Sequence, residues 1–218
     1  MEITNYITND FKPIDSQETI AAVRDFLSDF DFSHFPVTED GIYIGSISAE
    51  DVETFDENKK VADYKYSLET FFIRTDALWL EVLEIFAKNH SNLIAILDEH
   101  NKYVGYYELE DIINFLHQTP FIKDQGVVVK VRKGILDYSM SQIAQIVESN
   151  NGKILGLFIS ESDINSVEVT IKISSGAINE IIQTFRRYNY DIISEHHEDS
   201  YIANLKERSD YLDKYLNM

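Results

Sequence analysis

Ser48 and Asp51 lie three residues apart in Gly45-Ser46-Ile47-Ser48-Ala49-Glu50-Asp51, between the apolar run 42–47 and a helical pattern that opens at Asp51-Val52. A serine at a helix N-cap accepts a hydrogen bond from an orphan amide of the first turn. Those amides, with the helix dipole, also seat a phosphate. A carboxylate in the same turn accepts bonds from a vicinal diol such as a ribose, each charge-assisted bond being worth about 1.5–3 kcal/mol. The same spacing also fits a plain helix-starting box, and local pattern alone does not separate the two readings. Repetition adds weight. Sixty residues on, Gly105-Tyr106-Tyr107-Glu108-Leu109-Glu110-Asp111-Ile112-Ile113 carries the same glycine, the same aspartate six later and the same apolar helix start.

The elements that must hold these residues recur in the same order. Lys12-Pro13-Ile14-Asp15 is extended, because proline restricts itself and the residue before it. Ile20, Val23, Phe26, Leu27 and Phe30 follow helical spacing, with Asp15 or Ser16 as cap. Phe35-Pro36-Val37 begins a strand, Glu39-Asp40-Gly41 turns, and 42–47 returns as a hairpin. After a polar connector over 53–70, the second copy repeats this. Phe71-Phe72-Ile73 is extended, and Thr75 or Asp76 caps a helix with Leu78, Val82, Leu83 and Phe86 inward. Strands follow at 93–97 and 103–107, then a helix at 109–116.

This pattern over residues 1–118 resembles a tandem pair of cystathionine-β-synthase-type (CBS) domains. Tyr6-Ile7-Thr8 stands where the family opens. Ser33-His34-Phe35-Pro36-Val37 stands at its basic-apolar-Pro-Val strand. Gly45, Ile47, Ser48 and Asp51 match its Gly-x-apolar-[Ser/Thr]-x-x-Asp signature. The resemblance implies a regulatory module for an adenosyl compound such as AMP, ATP or S-adenosylmethionine. Ser48 and Asp51 would meet phosphate and ribose, His34 would approach the phosphate, and Thr8, Ile14, Phe35 and Pro36 would line the adenine pocket. The second copy departs from the pattern. Glu108 replaces the Ser/Thr and would repel a phosphate, while Asn92-Leu93-Ile94-Ala95 lacks the proline and the basic residue. Asp111 is kept. One competent site is therefore expected, around Ser48 and Asp51.

Beyond residue 120 the pattern changes. A Val-rich strand at 126–133, a helix with Ile143, Ile146 and Val147, strands at 153–159 and 167–173, a helix over 177–188 and a last strand at 190–194 give a β-α-β-β-α-β order. This is the split βαβ of ferredoxin-like folds, and the domain resembles an ACT module. The turn that holds an amino acid in that family is Lys133-Gly134-Ile135-Leu136-Asp137-Tyr138 here. Edge-to-edge pairing of subunits and amino-acid binding both stay open. Residues 201–218 read as a C-terminal helix with Tyr201, Leu205, Tyr211, Leu212, Tyr215 and Leu216 at near-helical intervals. The expected fold class is α+β. It comprises tandem CBS domains over 1–120 (1–60 and 61–120), an ACT-like βαββαβ domain over 121–200, and the helix. This whole-chain order is similar to the acetoin-utilisation B family.

Composition narrows the function classes. The chain of 218 residues carries a formal net charge of −19, and 24 of its 38 acidic residues lie at or before Pro120 against 8 of its 19 basic ones. So acidic a first half repels phosphate backbones, which speaks against nucleic-acid binding. There is no cysteine, so disulfides and thiolate chemistry are excluded. No apolar run approaches the roughly 20 residues of a membrane helix, and a cytoplasmic protein is expected. The chain shows no P-loop, Gly-x-Ser-x-Gly elbow or His-Glu-x-x-His. His196 and His197 are neighbours on an expected strand end, where their imidazoles point to opposite faces and cannot chelate together. The expectation is a non-enzymatic sensor without resident metal or certain cofactor, homodimeric, that passes adenosyl binding to a partner protein. The alternative is a ligand-free oligomerisation scaffold.

Overall fold

The computed structural model describes residues 2–174 and 178–194, and these divide into two units, one through Leu116 and one from His117. The expected C-terminal helix at 201–218 and the pair His196-His197 lie outside the described residues.

The first unit holds two copies of one motif. In the first copy, β1 (Ile14–Asp15) leads to α1 (Ile20–Ser28), β2 (His34–Glu39), β3 (Ile42–Ser48) and α2 (Ala49–Thr54). In the second, β4 (Ile73–Arg74) leads to α3 (Trp79–Asn89), β5 (Leu93–Leu97), β6 (Tyr103–Glu108) and α4 (Leu109–His117). Both three-stranded sheets run in sequence order, the first pair parallel and the second antiparallel, and Ile14 opposite Val37 corresponds to Ile73 opposite Ile96.

The helices form where apolar spacing and caps agree, although the caps differ from those expected. Asp15 is engaged in its own turn, accepting the Gln17 amide at 2.8 Å, so Thr19 caps α1 by accepting from Ala22. Helix α3 starts after Leu78, whose amide is taken by the Glu81 carboxylate at 2.6 Å. Leu78 is therefore exposed rather than inward, and Val82 and Phe86 carry the buried face. Fully burying such a side chain contributes about 1.5–3 kcal/mol. Phe30 also leaves the expected helical stripe: α1 stops at Ser28, and Phe30 is half-exposed beside Phe11 and Phe32.

The two copies are interlocked. Strand β5 is buried along its whole length: Ile94 and Ile96 pack with Val82 and Phe86 of its own helix, while Leu93 joins the core of the first copy and Ala95 and Leu97 join Tyr43. The free edge of each hairpin is covered by chain that leads into the other copy. Glu69 and Ser46 exchange two backbone bonds of 2.9 and 2.8 Å, and Thr8 and Tyr106 exchange two of 3.0 and 2.9 Å. This crossing explains the repeated glycines. A Cβ on Gly105 would stand 2.5 Å from the Thr8 carbonyl, and one on Gly45 2.8 Å from the Leu68 Cβ.

The second unit contains α5 (Pro120–Lys123), β7 (Val127–Gly134), α6 (Met140–Ser149), β8 (Lys153–Ser162), β9 (Ser166–Ser174), α7 (Ile178–Arg187) and β10 (Asp191–Ile192). Its antiparallel sheet has the order β10-β7-β9-β8, the β-α-β-β-α-β arrangement expected from the sequence. Val129, Val131, Val169, Ile171 and Ile173 meet Ile143, Ile146, Ile181, Ile182 and Phe185 of the helices in one core. Glu168, buried on β9, is paired by Lys130 and Arg132 on β7.

Candidate functional site

Strand pairing brings the first copy's expected residues to one sheet end. His34, the first residue of β2, lies opposite Ser48, the last of β3. Ser48 then caps α2, its Oγ accepting the Asp51 amide at 3.0 Å. The chain folds this way because the Ser33 carbonyl accepts the Ala49 amide at 2.8 Å, turning the strand directly into the helix. Ser48 is buried and Asp51 half-buried. The hydroxyl accepts one bond and still has its own hydrogen to donate.

His34 is held on both ring nitrogens. Nδ1 faces the Ser33 hydroxyl at 3.0 Å and Nε2 the Glu69 carboxylate at 3.2 Å, with the ring edge against Phe71. Glu69 is the residue that sequence reasoning missed. It sits in the stretch read as a connector, and the exchanged strand carries it to the tip. A signal did exist: Glu69 holds on β3 the place that Thr8 holds on β6, so the repeat itself marks both.

The remaining expected residues divide. Pro36 is buried opposite Ser46 in the same hairpin. Ile14 and Phe35 lie in the first copy's core, Phe35 fully enclosed by the rings of Phe26, Phe32 and Tyr106. Thr8 is not brought to Ser48; its backbone pairs with Tyr106, two residues before Glu108. Asp111 is half-buried in the first turn of α4.

Thr8 and Asp111 therefore flank the second copy's tip. Glu108 lies opposite Leu93, and the Asn92 carbonyl accepts the Leu109 amide at 2.9 Å, as Ser33 serves Ala49. These equivalent residues also bond each other: the Ser33 amide donates to Asn92 Oδ1 at 2.8 Å and the Asn92 amide to Ser33 Oγ at 3.0 Å. A cleft of about 370 Å³ opens here, lined by Phe11, Phe30, Asp31, Phe32, Asn92, Glu108 and Glu110. Partial burial, then Asp111, Glu110 and Asp10, push the Glu108 carboxyl above its usual range. Behind the lining, Tyr106 is fully enclosed and its hydroxyl has no hydrogen-bond partner among the described residues; burial, then Glu108, Asp10 and Asp111, push that phenol up to about 12. Among the described residues, no group of three His, Asp or Glu side chains could hold a metal ion, and no helix is long and apolar enough to cross a membrane.

Comparison with known proteins gives this arrangement a family. An uncharacterized protein of Methanocaldococcus jannaschii is 24% identical over 151 residues, 69% of this chain and 57% of that protein, so the chain spans little more than half of that relative's length. A CBS domain pair/ACT domain protein of Thermotoga maritima is similar in structure, with 18% identity, a TM-score of 0.48, and coverage of 53% of this chain and 96% of that one. The cytosolic domain of the Mg2+ channel MgtE in complex with ATP is 21% identical, at a TM-score of 0.44, over 50% of this chain and 46% of that one. The model of the CBS domain matches twice, at residues 3–56 and 61–118, and those bounds coincide with the two interlocked copies. The matches span just over half of the sequence, and the chain belongs to the CBS domain family.

Proposed function

We propose that the protein is a non-enzymatic regulator whose CBS pair binds an adenosyl ligand at the first copy's tip. The observation that supports this reading is the strand-to-helix junction where Ser48, paired with His34, caps the helix whose first turn carries Asp51. Asp51 takes the ribose diol and Ser48 donates to the ligand's phosphate or its substitute. Of the three ligand types, AMP, ATP and S-adenosylmethionine, the last suits the site best. Glu69 stands against His34, and the first unit is strongly acidic, so each added phosphate meets more repulsion. Binding draws Glu69 away from His34. Glu69 lies on the strand that joins the copies, so the ligand favours one packing of the pair over the other, as any ligand-driven shift requires. The second unit, read as ACT-type, pairs subunits along β8 and passes the shift to a partner protein.

Isothermal titration of the full chain with AMP, ATP and S-adenosylmethionine tests this. At least one binds, and Asp51→Ala weakens it tenfold or more, about 1.4 kcal/mol. Glu69→Gln tightens ATP more than S-adenosylmethionine. Absence of heat with all three at millimolar ligand ends the sensor reading. One observation favours a second reading, a ligand-free scaffold: the His34–Glu69 pair already fills the tip with protein contacts. A scaffold predicts concentration-dependent association and a Tm indifferent to all three compounds.

A further inference from the structure

The second copy's cleft inverts the chemistry of the first. Where Ser48 offers a hydroxyl, Glu108 offers a carboxylate, joined on the lining by Glu110 and Asp31. Asp10 and Asp111 act on Glu108 from the chain that enters the first copy and from α4. No lysine or arginine is among the lining residues, and the Asn92 side chain is engaged by Ser33. The lining also carries three aromatic rings. Phe11 and Phe30 meet at 4.5 Å between ring centroids, and Phe30 and Phe32 stack at 5.4 Å with planes 19° apart. Phe30 remains more than one-third exposed, so part of its ring is open to a ligand.

A second feature points inward. Tyr106 leaves β6 on the same sheet face as Glu108, two residues away. Its ring meets the lining residue Phe32 at 6.2 Å, and its enclosed hydroxyl has no hydrogen-bond partner among the described residues. That hydroxyl lies within electrostatic reach of Glu108, Asp10 and Asp111, just behind the cleft lining.

We propose that this cleft binds a small organic cation of the alkylammonium class, a di- or polyamine, with its charged heads on Glu108, Glu110 and Asp31 and its methylene stem along Phe11, Phe30 and Phe32. An ammonium joined to an apolar stem suits a cleft lined by both carboxylates and aromatic rings. A nucleotide phosphate is repelled from the same place. This site is independent of the adenosyl site at Ser48 and Asp51, and either can stand without the other.

The test is titration of spermidine and putrescine into the full chain at fixed ionic strength, by calorimetry and thermal shift, with Mg2+ as a charge control. Saturable binding of one spermidine per chain is expected, with a raised Tm. Glu108→Gln weakens it at least tenfold and Phe30→Leu, which removes the ring face, several-fold, while Asp51→Ala leaves it unchanged. If Glu108→Gln does not fold, Glu110→Gln at the exposed start of α4 gives the same reading with a smaller loss. Spermidine binding that both glutamine variants leave intact overturns the proposal, as does an equal Tm shift from Mg2+ at the same ionic strength. Nucleotide binding that depends on Asp51, without spermidine binding, refutes this site and leaves the adenosyl reading in place.

Discussion

Partial burial, then the charges of Asp111, Glu110 and Asp10, oppose the charge of Glu108. Its carboxyl therefore binds a proton more readily in the folded chain than in the unfolded one. The folded state is favoured while the proton is on, and that contribution is lost as the pH rises through the raised value. At neutral pH the charged carboxylate is a standing cost. Glu108→Gln keeps the shape and removes the charge, so it raises the Tm at pH 7. The gain disappears in acid, below the ordinary carboxylate range, where both proteins are neutral at this position. Melting curves across pH 3 to pH 7, roughly the span over which a carboxyl titrates, check the direction; a variant less stable at neutral pH contradicts it. Glu168 shows the opposite case. The hydrogen-bonded Lys130 and Arg132 hold its carboxyl below the usual range, so its contribution is present at neutral pH and lost on acidification.

At the scale of elements, Gly105 makes a sharp test of the strand exchange. Its backbone is ordinary, so alanine there meets no conformational penalty, but the new Cβ stands 2.5 Å from the Thr8 carbonyl oxygen and 2.9 Å from the Ile7 Cγ2. Gly105→Ala should cost about 1–3 kcal/mol in chemical denaturation and speed amide exchange at Thr8 and Tyr106; unchanged protection of both amides would show that the crossing is not tight. The strands and helices themselves were legible in the sequence, since the unbroken apolar run Leu93–Leu97 and the helical spacing of Ile143, Ile146 and Val147 are local properties. The caps were less so: Asp15 and Ser16 compete with Thr19 for one helix start, and turn bonding decides among them. The use of Glu69 left no local periodic mark; only the correspondence of Glu69 with Thr8 in the repeat points to it. Strand β8 continues to Ser162 past the apolar stretch, as ladder bonds to β9 carry polar residues along.

Among the described residues the cores are separate, three clusters in the first unit and one in the second. Calorimetry of the full chain should therefore resolve two transitions, and an adenosyl compound should move one and spare the other. A single transition that moves as a block would mean that the units melt together. Within the first unit no such division is available. Each hairpin's outer edge is sealed by residues that belong, in sequence, to the opposite copy, with Thr8 on one side and Glu69 on the other. Half of this unit, cut free, would expose an unsealed strand and recover its seal only from another molecule. Inheritance must then act on the pair: the two tips are free to differ, serine in one and glutamate in the other, but neither copy is free to be deleted.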